Sequence, residues 1–325
     1  METDKIELIK SIEEKRDSRV ISYITGGKPP FSTRVADDVV PILGDLLNKM
    51  GKVNKISLFL YTNGGSMLTP IRIVKIIRNY CDNFEVLVPY KAQSAGTLIC
   101  IGADKIAMGR LGELTPVDPT TGHPFNPKNP QDPNKNLEIS VEDLNSYLLF
   151  TRDEVGVKDE QMIDAYKLLV EKLHPLSIGN AYRAYRMSRS ITERLLLLHM
   201  DKERDEEKLK KIVKEITSDI TIHSYPIDRD EAFDIGLKVE KVDNETENYM
   251  RSLYSFYDKE INLSQPFSPT FVDGKDMTIE KTGAFLESTD FSSKFVSSGK
   301  ASKVVKEGKP FVDINISSQS WIINK

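Results

Sequence analysis

The sequence of 325 residues is poor in cysteine, and it lacks long apolar runs. Its two cysteines, Cys81 and Cys100, cannot build a disulfide scaffold or a four-thiolate zinc site, and they suit a reducing compartment. No run of 18 apolar residues is present, and the charged residues 1–16 contain no signal-peptide core. We therefore expect a cytoplasmic protein without a transmembrane segment, and we expect neither a metal nor a cofactor.

The sequence also has no large excess of positive or negative charge. Lysine and arginine total 45 and aspartate and glutamate total 49, so the formal net charge is −4. This balance predicts no basic surface for nucleic acid or for an anionic membrane. With 39% hydrophobic and 29% charged residues, the composition is typical of a folded globular chain, but it predicts no activity.

Buried strands and helices alternate over the first third of the chain. Nearly continuous apolar runs predict strands at residues 19–25, 55–62, 84–89 and 104–109, and a short one at 111–118. Apolar residues with a helical period predict helices at 1–16, 35–50 and 70–80, and another helix begins at Ser94. This alternation predicts a mostly parallel α/β architecture.

The second part of the chain carries other local signals. Residues 119–136 contain five prolines and predict a long surface loop. Ser140 and Asp143 predict a capping box at the start of a helix. Residues 159–217 have a helical pattern, for which we expect breaks at His174-Pro175 and at Gly179.

Closer to the C-terminus, the pattern weakens. Asp228 and Gly236 predict the two ends of a short helix, and residues 237–242 predict a closing strand. Beyond Asp243 the periodicity fades into sequence rich in serine, glycine and asparagine. No element is predicted there.

Two strand-to-helix junctions contain the residues best suited to chemistry. Gly64-Gly65 follows one predicted strand, and Ser94-Ala95-Gly96 follows the next. Glycines allow a backbone to approach a ligand and to point free N–H groups at it. A serine at a helix start can supply a nucleophile beside such groups, as acyl transfer requires. Either motif alone is better explained as a turn or as an N-cap, because serine is among the preferred N-cap residues.

Together, the motifs resemble the serine dehydrogenase proteinase family, within the Clp protease and signal peptide peptidase group of the crotonase-like fold. The resemblance spans residues 19–242 and is strongest from Leu58 to Pro119. It is carried by Ser-Ala-Gly-Thr-Leu from Ser94, Gly-Ala-Asp-Lys-Ile-Ala-Met-Gly from Gly102, and Leu-Gly-Glu-Leu-Thr-Pro-Val-Asp-Pro from Leu111. The chain departs from the family pattern at Leu114-Thr115-Pro116, where Gly-Pro is usual, and at Ser224, where aspartate is expected.

The resemblance implies an α/β, crotonase/Clp-protease-like spiral of ββα units with added helices and a C-terminal extension. It implies an N-terminal helix at residues 1–18, a peptidase domain at 19–243 and an extension of unknown role at 244–325. It also implies a homo-oligomer. The substrate would be a peptide or an unfolded protein.

The same resemblance implies a serine peptidase that forms an acyl-enzyme at Ser94, with an oxyanion hole from the N–H groups of Gly65 and Ala95. The resemblance does not identify the general base that would deprotonate Ser94. Our first hypothesis is a triad of Ser94, His223 and Asp118, in which the acid and the imidazole have exchanged positions along the chain. His123, in the proline-rich loop, lies close to where Clp-type proteases carry their histidine.

The alternative base is a lysine, as in signal peptide peptidases. Lys135 has the best spacing from Ser94, and Lys91 and Lys128 are further candidates. Two rival functions also remain at this stage. One is a crotonase-like acyl-coenzyme A hydratase or thioesterase, which would use the same oxyanion hole. The other is a catalytically silent oligomeric scaffold.

Overall fold

Five parallel strands and the helices between them form a mixed α/β structure, so the predicted fold class is confirmed at that level. The computed structural model describes residues 2–220, 222–263, 277–306 and 309–324. The chain divides into two compact units, residues 1–114 with 226–325 and residues 115–225. The domain boundaries expected from the sequence at residues 18 and 243 stay a prediction.

The described helices and strands are numbered in chain order. The helices are α1 (Glu2–Arg16), α2 (Val39–Met50), α3 (Thr69–Arg78), α4 (Ala95–Ile101), α5 (Val141–Leu149), α6 (Met162–Lys172), α7 (Pro175–Leu196), α8 (Glu206–Lys214), α9 (Arg229–Ile235) and α10 (Asn244–Ile261). The strands are β1 (Arg19–Thr25), β2 (Val53–Tyr61), β3 (Cys81–Val88), β4 (Lys91–Ala92), β5 (Lys105–Met108), β6 (Glu113–Leu114), β7 (Lys128–Asn129), β8 (Asp132–Asn136), β9 (Ile227–Asp228), β10 (Val239–Lys241), β11 (Met277–Glu287), β12 (Ser292–Lys306) and β13 (Lys309–Asn324).

The first unit is organised around an eight-stranded sheet in the order β10-β5-β3-β2-β1-β11-β12-β13. The strands from β10 to β1 are parallel, and β11, β12 and β13 continue the sheet in antiparallel pairing. Ile21, Leu58, Val86 and Ile106 lie opposite one another across four strands, and all four are buried. Parallel strands covered on both faces need such apolar runs, which is why the sequence predicts them well.

Helix α1 is fixed to the sheet by a buried ion pair. The Lys5 ammonium donates to both carboxylate oxygens of Glu287 at 2.8 Å, and the two side chains are 7% and 1% exposed. The Tyr257 hydroxyl on α10 donates to the same carboxylate at 2.9 Å, and the Ser292 hydroxyl does so at 2.7 Å. These donors satisfy the carboxylate, as a buried charge requires.

A second ion-pair network holds the other end of α1. Arg16 donates to Glu85 and to Glu240, with shortest distances of 2.6 Å in each case. Burial alone would raise the pKa of Glu85, but hydrogen bonds led by those from Arg16 outweigh it and lower that pKa. Hydrogen bonds from Arg16 also lower the pKa of Glu240 to about 2. The N-terminal helix is therefore part of the first unit.

The second unit is mainly helical, with a small core of Ile139, Val141, Leu144 and Ala181. The capping box predicted at Ser140 is present, with both reciprocal hydrogen bonds. The predicted break at His174 is present too, because the His174 side chain caps α7. The break expected at Gly179 is wrong, since α7 continues through it; one glycine in a helix costs only about 1 kcal/mol.

Three other expectations about secondary structure are corrected. The loop predicted at residues 119–136 contains the hairpin β7–β8. The short strand predicted at 111–118 is only the two-residue β6. Beyond Asp243, where no element was predicted, lie α10 and the antiparallel strands β11–β13. Of the helices that the structure describes, none has both the length and the apolar character needed to cross a membrane.

Replacing Glu85 with alanine should lower the free energy of unfolding by about 3 kcal/mol, because the buried Arg16 guanidinium then keeps only one of its two carboxylate partners, Glu240. Urea denaturation measures this loss. The matched control is Glu14→Ala, which replaces an exposed glutamate on α1, the helix of Arg16, and should change stability by less than about 0.5 kcal/mol. Equal effects of the two substitutions would contradict an anchoring role for the ion pair.

Candidate active site

The two glycine- and serine-containing junctions meet at Thr62, the residue that follows β2. The Thr62 N–H donates to the Lys91 carbonyl at 2.9 Å, and the Gln93 N–H donates to the Thr62 carbonyl at 3.1 Å. This short parallel bridge places Ser94 beside the turn that begins after Thr62. Gly96 allows the close approach, because a Cβ there would lie 2.5 Å from Thr62 Cγ2.

The Gly64-Gly65 turn has a conformation that favours glycine at both positions. Its φ angles are +104° and +154°, and the Gly64 N–H donates to the Thr62 hydroxyl at 3.0 Å. A Cβ on Gly64 would lie 3.0 Å from Ser94 Cβ and 3.6 Å from Ser94 Oγ, and one on Gly65 would lie 2.2 Å from the Val35 carbonyl oxygen. The turn therefore lies directly against Ser94 and cannot carry a larger residue at Gly65.

Ser94 has a strained backbone at the start of α4. Its φ is +50° and its ψ is −103°, and its side chain forms no cap hydrogen bond to the helix. Backbone strain of this kind stores on the order of 1–3 kcal/mol and is concentrated at functional sites. A nucleophilic serine on a sharp strand-to-helix turn is one known use of it. The explanation of Ser94 as an ordinary N-cap is thus excluded.

The backbone beside Ser94 offers hydrogen-bond donors. Val35 pairs with the glycine turn through its N–H to Gly64 and its carbonyl from Ser66, which leaves the Gly65 N–H pointing elsewhere. Within the described ranges, neither the Gly65 N–H nor the Ala95 N–H has an acceptor. These are the two donors expected to form the oxyanion hole.

Asp118 and His223 lie together in the second unit. Asp118 is 7% exposed; burial raises the pKa of its carboxyl, and the positive charge of His223 lowers it. Its Oδ1 has no hydrogen-bond partner in the part of the chain that the structure describes, and no hydrogen bond to His223 is formed. His223 is exposed. The two residues are thus electrostatic neighbours without direct bonding.

The candidate lysines are engaged by carboxylates. Lys135 is 76% exposed and lies 3.3 Å from Asp132 in the β7–β8 hairpin. Lys91 lies 3.8 Å from Glu113 and stacks on the Tyr90 ring. A lysine acts as a base when burial disfavours its charge, and the Lys135 side chain is largely exposed.

His123 and Lys128 are the two remaining candidates for the base. The His123 Nδ1 accepts from the Phe125 N–H at 3.3 Å, and Lys128 is exposed on β7. No cluster of three or more potential metal ligands occurs among the residues described.

Sequence reasoning missed Thr62 and the contact between Gln93 and Glu113. The Gln93 Nε2 donates to Glu113 Oε1 at 3.0 Å and so ties the residue before Ser94 to β6. The available signal for Thr62 was a hydroxyl residue placed directly between an apolar strand and two glycines. A hydroxyl at that position can bond the backbone two residues on.

Substitution of Ser94 tests the backbone strain. Glycine tolerates a positive φ, so Ser94→Gly should be more stable than Ser94→Ala by about 1 kcal/mol in urea denaturation. The same pair at Ser11, inside α1, should give the opposite sign, because alanine exceeds glycine by about 1 kcal/mol in a helix. The same order at both positions would contradict the strained geometry of Ser94.

Replacing Asp118 with asparagine should change how stability depends on pH. Because the pKa of Asp118 is raised above its ordinary value of 3.8, the unfolded chain loses this proton first, and stability falls as the pH rises through the folded-state pKa. Asparagine does not ionise, so the variant should gain stability relative to the original chain as the pH rises above 3.8. Urea denaturation over a pH series measures this difference, and a difference independent of pH would contradict it.

Comparison with known proteins finds relatives of this chain and a family that matches its N-terminal part. Two uncharacterized proteins of Methanocaldococcus jannaschii are similar to it. The first is 28% identical over 243 residues, which cover 73% of each chain, and the second is 26% identical over 244 residues, which cover 72% of this chain and 71% of its own. Residues 1–129, which include the glycine turn and Ser94, match the family of ClpP-like SDH-type serine proteinases, and this confirms the resemblance read from the motifs.

Proposed function

We propose that this protein is a serine peptidase that cleaves peptide bonds through an acyl-enzyme at Ser94. The observation that carries the proposal is the strained Ser94 held against the Gly64-Gly65 turn, with the N–H groups of Gly65 and Ala95 free of acceptors in the described chain. A nucleophile and preorganised backbone donors are the two parts of acyl transfer that depend most on backbone geometry.

In the proposed reaction, Ser94 Oγ attacks the scissile carbonyl carbon while a general base accepts the hydroxyl proton. The Gly65 and Ala95 N–H groups stabilise the oxyanion; one such donor contributes about 10²–10³-fold to the rate. The base then gives its proton to the leaving amine as the C–N bond breaks. Water, deprotonated by the same base, releases the acid product and restores Ser94.

We assign the base to His223, with Asp118 as its orienting acid. Their electrostatic coupling and the unpartnered, buried Asp118 Oδ1 support this assignment, because the imidazole needs a carboxylate that is not otherwise engaged. Catalytic hydrogen bonds often tighten only when substrate binds. The exposure of Lys135 and the ion pair of Lys91 make a lysine base the weaker alternative.

Three finer expectations belong to this proposal. The crotonase-like spiral of ββα units is supported by the parallel strands and connecting helices of the first unit. A homo-oligomer follows from the family resemblance, and light scattering on the purified protein measures it. The substrate is a peptide or an unfolded protein. The cytoplasmic location stays a prediction from the sequence.

Fluorophosphonate labelling tests the nucleophile. The unsubstituted protein should be labelled on Ser94, and Ser94→Ala should lose the label while keeping its circular dichroism spectrum. Ser66→Ala, in the glycine turn, is the serine control and should still be labelled. If the label is absent from the original protein, or if Ser94→Ala retains it, the peptidase proposal fails.

Substitution of histidines and lysines tests the base. His223→Gln should slow labelling by about 10²-fold or more, the usual contribution of a general base. His123→Gln, another histidine of the second unit, is the matched control and should label at the original rate. A comparable loss in Lys135→Met or Lys91→Met, with His223→Gln unaffected, would instead assign the base to a lysine.

A further inference from the structure

A cavity of about 170 Å³ opens at the carboxyl end of β1, in the first unit. Its walls come from two parts of the chain far apart in sequence, the segment that follows β1 and the strands β11–β13. The lining residues used in the argument are Arg34, Ala36, Asp38, Ala284, Phe295 and Trp321. The C-terminal strands, for which the sequence predicted no role, thus complete a concave site.

The cavity adjoins the glycine turn. Arg34 and Ala36 flank Val35, which pairs with the turn by accepting from the Ser66 N–H at 2.8 Å and donating to the Gly64 carbonyl at 2.9 Å. Ligands of parallel sheets bind at the carboxyl ends of the strands, the edge where this cavity and the turn both lie.

The size and walls of the cavity suit one large apolar side chain. A cavity of about 150 Å³ is enough for a benzene ring. The rings of Phe295 and Trp321 meet edge to face, with centroids 5.6 Å apart, and the small side chains of Ala36 and Ala284 also line the cavity. The Trp321 Nε1–H donates to Asp38 at 2.8 Å, which fixes the indole in place.

Arg34 adds a charge to this site. Its side chain is exposed and has no carboxylate partner among the described residues. Asp38, the acidic side chain of the lining, already accepts from Trp321. A guanidinium without a partner binds a carboxylate with two parallel hydrogen bonds.

We propose that this cavity is a binding pocket for one large apolar side chain of a peptide, and that Arg34 binds a carboxylate on the residue next to it. The ligand class is an acidic peptide with an aromatic or large aliphatic residue. The inference rests on the proposed function in taking a peptide as the ligand, but not on Ser94 chemistry.

Trp321 is the only tryptophan of the chain, so its fluorescence reports directly on the pocket. Full-length Ser94→Ala, which cannot cleave a peptide through Ser94, is titrated with acetyl-Glu-Phe-amide and with acetyl-Gln-Phe-amide. We expect a saturable change in Trp321 emission, with a dissociation constant about three- to fivefold lower for the glutamate peptide, because water partly screens an ion pair at the exposed Arg34.

Two variants locate the effect. Arg34→Gln should bind both peptides equally, while Lys52→Gln, which replaces an exposed cation outside the lining, should keep the preference for glutamate. Ala36→Phe should fill the cavity and abolish the response. The proposal is overturned if the titration gives no saturable change, or if the two peptides bind equally to the Arg34-containing protein, a comparison that needs no further variant.

The two experiments distinguish a failure of the peptidase proposal from a failure of the pocket proposal. Loss of fluorophosphonate labelling with an intact Trp321 response would remove the peptidase and keep the pocket. Labelling at Ser94 without a Trp321 response would do the reverse.

Discussion

The candidate site depends on the hydrogen bonds of one residue, Thr62. Its backbone pairs with the strand before Ser94, and its hydroxyl holds both the Gly64 N–H and the Thr25 hydroxyl, the latter at 2.7 Å. The strain at Ser94 persists because its surroundings over-determine it: all seven residues of α4 are buried, and Gly96 packs against Thr62. A polar network at the end of an apolar strand thus fixes the geometry of the proposed nucleophile, Ser94.

The C-terminal strands belong to the same unit as this network. Residues far apart in sequence, Lys5 and Glu287, are joined by a buried ion pair, and Tyr257 from α10 shares it. Strand β11 pairs directly with β1, whose last residue, Thr25, bonds Thr62. One sheet thus connects the N-terminal helix, the C-terminal strands and the glycine turn, and the pocket beside Trp321 is lined by the segment after β1 and by β11–β13.

Local signals in the sequence were enough for the parallel strands and for most helix ends. The capping residues Ser140 and Asp228 are confirmed, because a cap is decided by contacts within a few residues. Strands β11–β13 were missed, because their pairing depends on β1 and on each other rather than on an apolar pattern. Helix α10 was missed although its signal is present, because Met250, Leu253 and Tyr257 recur at the spacing of an amphipathic helix and lie on its buried face.

For the site, motifs are sufficient to predict which residues have the backbone geometry that the proposed chemistry requires, such as Ser94 and Gly65. They are not sufficient for the base, which depends on burial and charge in a different segment. Burial disfavours the charged form of Asp118, and the cationic form of His223 favours it. In the proposed mechanism, the imidazole becomes cationic when it accepts the Ser94 proton, so the Asp118 carboxylate is stabilised at that same step. A desolvated acid therefore favours formation of the imidazolium in the transition state more than a solvated one could.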